Sequence, residues 1–177
     1  MRFGVNFGGS HRAKEGDLPE LSLSAVDILL HLLAFAVTVV IIVYTAVSYG
    51  QLPEYVPLHF GMNGEADSWG ARHTVLFMPA LAVFCYALIA ISSFFPKAFN
   101  MPVEITAENA PRLYRATRTG LLLINLQASL IFACVVAMVI RTALELPVKM
   151  FNYGLWALMA LLLLTTFVMI SYCFKQK

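Results

Sequence analysis

Charge is scarce in this chain. Asp, Glu, Lys and Arg make up 12% of its 177 residues, against about 25% in a soluble domain. With 60% of residues hydrophobic and a mean hydropathy of +0.77, an ordinary water-soluble domain is excluded. The formal net charge of +2 is too small to argue for nucleic acid. Cysteine is also sparse. Cys85, Cys134 and Cys173 all fall inside apolar runs, and no CxxC pair or disulfide framework exists. They read as small hydrophobes. No nucleophile elbow or other catalytic signature is present. No acidic residue lies in the middle of an apolar run, which argues against an ion-coupled transporter. The first twenty or so residues are polar and Gly-rich, without the apolar centre of a cleaved signal peptide. They are expected to form a cytoplasmic tail over 1–24.

What remains is hydrocarbon, in four runs. A bilayer core of about 30 Å needs about 20 apolar residues in a helix. Spans are predicted over 25–48, 74–95, 119–140 and 153–174, in a single transmembrane domain covering 25–177. Backbone groups in lipid must be satisfied within each span, so an all-α, four-helix bundle is the expected architecture. Ser24 and Asp27 have capping-box spacing at the first helix start. Pro79 lies in the first turns of the second helix, where a missing donor costs least.

Lys and Arg distribute unevenly. Arg2, Arg12, Lys14, Lys97, Arg112, Arg115, Arg118, Lys175 and Lys177 fall on one side; Arg72, Arg141 and Lys149 fall on the other. The positive-inside rule then puts both termini in the cytoplasm and the loop between helices 1 and 2 outside. Tyr49, Tyr55, Trp69, Tyr153 and Trp156 would sit at the outer headgroup level, and Tyr172 and Phe174 at the inner one. The short third connection makes the last two helices antiparallel neighbours.

Polar residues inside the spans are few. Asp27 and His31 share a helix face near the cytoplasmic end, as a cap with an interfacial histidine or as a proton-handling pair. Asn125 and Gln127 point to different sides of the third helix, where interhelical hydrogen bonding is the ordinary use of such groups.

Specificity concentrates in the stretch Gln51–Arg72. Pro53 and Pro57 stop the first helix and keep the chain extended. Gly61, Gly64 and Gly70 permit tight turns. An ordered outer cap is expected, with Phe60 and Trp69 packed on the helix ends. His59 is the residue with the widest range of roles, metal ligation among them. Glu54, Glu65, Asp67 and His73 are near it in sequence, but no spacing matches a known metal pattern. The structural alternatives are a His59–Asp67 hydrogen bond across the loop or capping of the second helix, for which Asp67-Ser68 is placed. A Ser68-His59-Asp67 hydrolytic set has no supporting motif.

In order and spacing, Leu52-Pro53, Pro57, His59-Phe60, Gly64, Asp67 and Trp69-Gly70 resemble a domain of unknown function found in bacterial membrane proteins of the SdpI toxin-immunity type. A looser match runs from Ile105 to Ala110, with Arg112 and Tyr114. The resemblance implies a multi-span bacterial inner-membrane protein, here a short four-span member. In the best-known members it implies immunity to a secreted toxin, sometimes joined to membrane capture of a transcriptional regulator.

The expected role is therefore a non-enzymatic binding protein without cofactor or metal. Its outer motif would comprise Pro53, Pro57, His59, Phe60, Gly64, Asp67, Trp69 and Gly70. A cytoplasmic extension of the third helix carries a basic face with Arg112, Arg115 and Arg118, which reads as a lipid-headgroup anchor or, more sharply, as a cytoplasmic docking surface comprising Glu108, Asn109, Arg112, Tyr114 and Arg115. Expected partners are the lipid bilayer, a secreted peptide or membrane protein, a soluble cytoplasmic regulator, and a second copy of the chain. The alternatives are a subunit of a larger membrane (transport) complex and, less favoured, a small metal-dependent membrane enzyme.

Overall fold

A computed structural model of the protein describes residues 22–95 and 101–176. The expected tail over 1–24 lies outside them except for its last three residues. So do Arg2, Arg12, Lys14, Lys97 and Lys177.

Four helices carry the structure: α1 (Ala25–Tyr49), α2 (Phe77–Ser93), α3 (Ala110–Ala143) and α4 (Lys149–Phe174). With the 3-10 turn Arg72–Leu76 leading into α2, all four are long and apolar enough to cross a membrane. The expected all-α class needs one correction. Between α1 and α2 the chain forms an antiparallel hairpin, β1 (Tyr55–Phe60) and β2 (Ala66–Ala71). Strands form here because Pro53 and Pro57 exclude helix, while an Asn63-Gly64 turn reverses the chain.

Helix limits follow local chemistry. At the start of α1, Ser24 N–H donates to Asp27 Oδ2 at 3.0 Å, and Asp27 N–H donates to Ser24 Oγ at 3.1 Å. This is the capping box expected from spacing. Before α3, Thr106 N–H donates to Asn109 Oδ1 at 2.9 Å and Asn109 N–H returns to Thr106 Oγ1 at 3.2 Å. Pro111 then occupies the first helical turn, where its missing donor is harmless. At 34 residues, α3 is about 51 Å long and outruns the hydrocarbon core. It therefore extends beyond the predicted 119–140 span at both ends.

The bundle is not symmetric. α3 is its axis: α1, α2 and α4 all pack on it, and α1 also meets α2. α4 rests on α3 alone as its major helix contact and leaves most of its surface exposed. The face of α1 that meets the bundle is read directly from its burial. Asp27, Ala34, Thr38, Ile41, Thr45 and Ser48 are buried, and His31 is half-buried. Steps of four and three give a 3.5-residue stripe, the seam of left-handed helix packing. Most of these side chains are small or polar, which lets helices approach closely in lipid. Thr38 and Thr45 donate back to the carbonyls of Ala34 and Ile41, both at 2.9 Å. The Thr38 and Ser129 hydroxyls lie 3.5 Å apart between α1 and α3.

Asn125 and Gln127 divide between neighbours as their angular separation requires. Asn125 Nδ2 donates to Tyr86 O on α2 at 3.3 Å, and Gln127 Nε2 to Thr165 Oγ1 on α4 at 2.8 Å. Asn125 Oδ1 and Gln127 Oε1 are buried without a partner among the described residues. Gln127→Leu removes a bond and an unsatisfied carbonyl together. It should therefore destabilise by less than about 1 kcal/mol, measured by unfolding in mixed detergent micelles.

Candidate functional site

The hairpin is a built structure. Gly61 N–H donates to Glu65 O, and Gly64 N–H to Gly61 O, both at 2.9 Å. Asn63 braces the turn by accepting from Glu65 N–H and donating to Glu65 Oε2. Gly64 has φ +80, the left-handed region that suits glycine. Arg72 closes the open end: its N–H donates to Glu54 O at 2.8 Å, and its guanidinium lies 5.1 Å from the Tyr49 ring centroid.

Register breaks occur on both sides of His59. Pro57 pairs with Trp69, His59 with Ser68 and Phe60 with Ala66, so Leu58 and Asp67 are the extra residues. Such bulges re-aim side chains. Here they bring His59 Nδ1 and Asp67 Oδ1 to 2.6 Å, near the surface. The expected bond across the loop is thus present. The alternative placing of Asp67-Ser68 as a helix cap is corrected: both residues are in β2, and the following 3-10 turn has no side-chain cap.

One face of the hairpin is anchored. Leu52 and Val56 join Ile41 of α1 and Val136, Val139 and Ile140 of α3 in a buried cluster, with Phe60 packed against it. Pro57 is fully buried. The other face is open. Trp69 is 51% exposed rather than packed on a helix end, because β2 forms the outer strand away from the bundle. Gly70 sits against Leu58, so that a Cβ there would approach the Leu58 side chain to 2.5 Å.

Beneath the hairpin tip is a cavity of about 340 Å³. His59, Phe60 and Met62 form its hairpin wall, and Met138 of α3 and Trp156 and Met159 of α4 form the opposite wall. Sequence reasoning missed this cavity because its walls are some eighty to a hundred residues apart in the chain. Among the described residues, no three His, Cys, Asp or Glu side chains converge. Of the loop's acidic and histidine residues, only His59 and Asp67 meet.

The far end of the bundle holds a second polar assembly. Asp27 is buried, and Thr119 Oγ1 donates to its Oδ1 at 2.7 Å. Arg118 is also buried, donating Nε–H to Ser93 O and an Nη1–H to Ser22 O, both at 3.2 Å. His31 Nε2 lies 3.2 Å from Ser93 Oγ, and its ring stacks on Phe94 with centroids 5.3 Å apart. Arg118 turns inward, where it donates to backbone carbonyls at the ends of neighbouring segments.

The proposed docking residues divide as well. Glu108, Arg112 and Arg115 are exposed. Asn109 and Tyr114 are buried and do not form surface. Asn109 Nδ2 instead ties Glu104 O and Gln176 O together, at 3.0 and 2.9 Å. Glu108 and Arg112 border a groove of about 530 Å³ with Glu104 and Gln176.

Residues 36–83 match a family described as "Domain of unknown function (DUF1648)". That segment begins within α1, contains the whole hairpin and ends in α2. An uncharacterized protein of Archaeoglobus fulgidus is 46% identical over 48 residues, covering 27% of this chain and 26% of the relative. The match thus spans about a quarter of that relative's length. No solved structure matches. The matched segment carries the His59–Asp67 pair and excludes Asp27, Arg118 and the α3 and α4 walls of the cavity.

Proposed function

We propose that this protein is a non-enzymatic membrane receptor whose hairpin recognises a peptide, lipid or protein partner on the outer side of a bacterial inner membrane. The observation that carries the reading is the cavity between the hairpin and α3/α4, with His59, hydrogen-bonded to Asp67, in its hairpin wall. An apolar recess with a few placed polar groups is the ordinary form of a binding site. The hairpin surface adds exposed Tyr55, Leu58, Met62 and Trp69, and aromatic residues are favoured at interfaces.

Orientation rests on charge. Arg72, Arg141 and Lys149 belong to the hairpin end, whereas Arg112, Arg115, Arg118 and Lys175 belong to the far end. The excess at the far end supports a cytoplasmic location for it. Glu108, Arg112 and Arg115 are then positioned to contact a soluble regulator. Within this reading, the SdpI-type role of immunity coupled to signalling is the biological setting we favour.

In-membrane cross-linking with Asp67→Ala alongside the native chain tests the reading. A partner captured by the native protein should fall at least tenfold in the variant. Equal capture by both would make the hairpin a structural cap. The exposed surface of α4 favours one alternative, a subunit of a larger membrane complex. That arrangement predicts stable co-purification with another span-bearing protein, unaffected by Asp67→Ala.

A further inference from the structure

We infer that the cavity beneath the hairpin is a soft-metal site that takes a monovalent cation of the Cu(I) class. Four donors line one recess: the His59 imidazole and the thioethers of Met62, Met138 and Met159. They come from three separate parts of the fold, namely the hairpin, α3 and α4. Thioethers are soft ligands that select Cu(I) over zinc, magnesium or calcium. No carboxylate or thiol is among the lining side chains, and the Asn152 amide is the one side-chain oxygen there, so a hard cation has no charged ligand in the recess.

The orientation of His59 fits this role. Its Nδ1 is occupied by Asp67 at 2.6 Å, leaving Nε2 as the ring nitrogen for a metal. A ligating histidine ordinarily engages a carboxylate or carbonyl through its other nitrogen, which fixes the tautomer and raises its basicity. Asp67 is therefore the positioning residue. Its charge also offsets that of a single cation held beside neutral thioethers. Met62 is 82% exposed and belongs to the turn, so it is placed to exchange the ion with the surroundings, while Met138 is fully buried at the base. The Trp156 indole completes the wall.

This inference goes beyond the receptor reading and stands without it, because the metal is measured on the purified chain with no partner. The full chain in lipid nanodiscs is loaded with Cu(I) under anaerobic ascorbate, and bicinchoninate is added as competitor. One copper per chain is expected. Met62→Ile with Met159→Leu should weaken it at least tenfold, whereas Cys85→Ser, Cys134→Ser and Cys173→Ser together should leave it unchanged. X-ray absorption should report both sulfur and nitrogen ligands. The exposed Met62→Ile substitution alone, expected to weaken binding at least threefold, provides a variant that retains the fold. Failure to hold copper against the competitor, binding unchanged in the methionine variants, or loss of copper with the cysteines would each overturn the proposal.

Discussion

Replacing Asp27 with alanine will destabilise the helix assembly by about 3 kcal/mol. Two losses combine. The carboxylate half of the α1 capping box, Ser24 N–H to Asp27 Oδ2, disappears, worth about 1 kcal/mol. The hydrogen bond from Thr119 to a buried carboxylate, at 2.7 Å, disappears as well, and bonds to charged groups contribute about 1.5–3 kcal/mol. Arg118 also loses a nearby opposite charge in the same buried assembly. Equilibrium unfolding in mixed micelles measures the effect. Asp27→Asn keeps one of the two side-chain oxygens, enough for Thr119 or for Ser24 N–H but not for both, and should lose roughly half as much by the same reasoning. A loss below about 1 kcal/mol for alanine would mean that this assembly contributes little to holding α1 on α3.

Valine at position 64 will lift the hairpin tip from α4. The φ of +80 at Gly64 is unfavourable for any β-branched residue. A Cβ there would also lie 2.8 Å from the Asn152 side chain, which is itself buried. The left-handed backbone alone costs about 1–2 kcal/mol, and the clash adds to it. Because the four helices pack elsewhere, the cost falls on the tip rather than on the bundle. Hydrogen exchange at the Gly61 amide, bonded within the turn, should accelerate at least tenfold. Trp156 emission, read in a Trp69→Phe background, should change as the cavity opens. Unchanged exchange and emission would show that the turn accommodates the side chain without undocking.

Much of the scaffold was legible because its causes are local. Bilayer thickness sets the length of an apolar run, and Ser24 and Asp27 mark a helix start by their spacing alone. The His59–Asp67 bond was foreseen as one alternative, since both residues stand in one short loop. The strands were not foreseen, although Asn63-Gly64 between Tyr55-Val56 and Trp69 is a recognised hairpin signal. Bulges at Leu58 and Asp67 break the alternation that ordinarily reveals strands. The burial of Arg118 has a non-local cause: it depends on the Ser93 and Ser22 carbonyls, which belong to other segments.

The sequence by itself therefore determined that there are four membrane-length helices, where the first of them begins, and that a polar loop separates the first two. These follow from hydrophobic length, caps and proline, each confined to neighbouring residues. Only the tertiary structure decided that α3 is the axis, that Asn109 and Tyr114 turn inward, and that Met138 and Met159 stand opposite His59. Those outcomes depend on which helix faces meet. Apolar residues surround every span, and in lipid an outward Leu is as well solvated as an inward one, so hydrophobicity alone cannot choose the face. Small residues, a few hydrogen bonds and the docking of the hairpin make that choice.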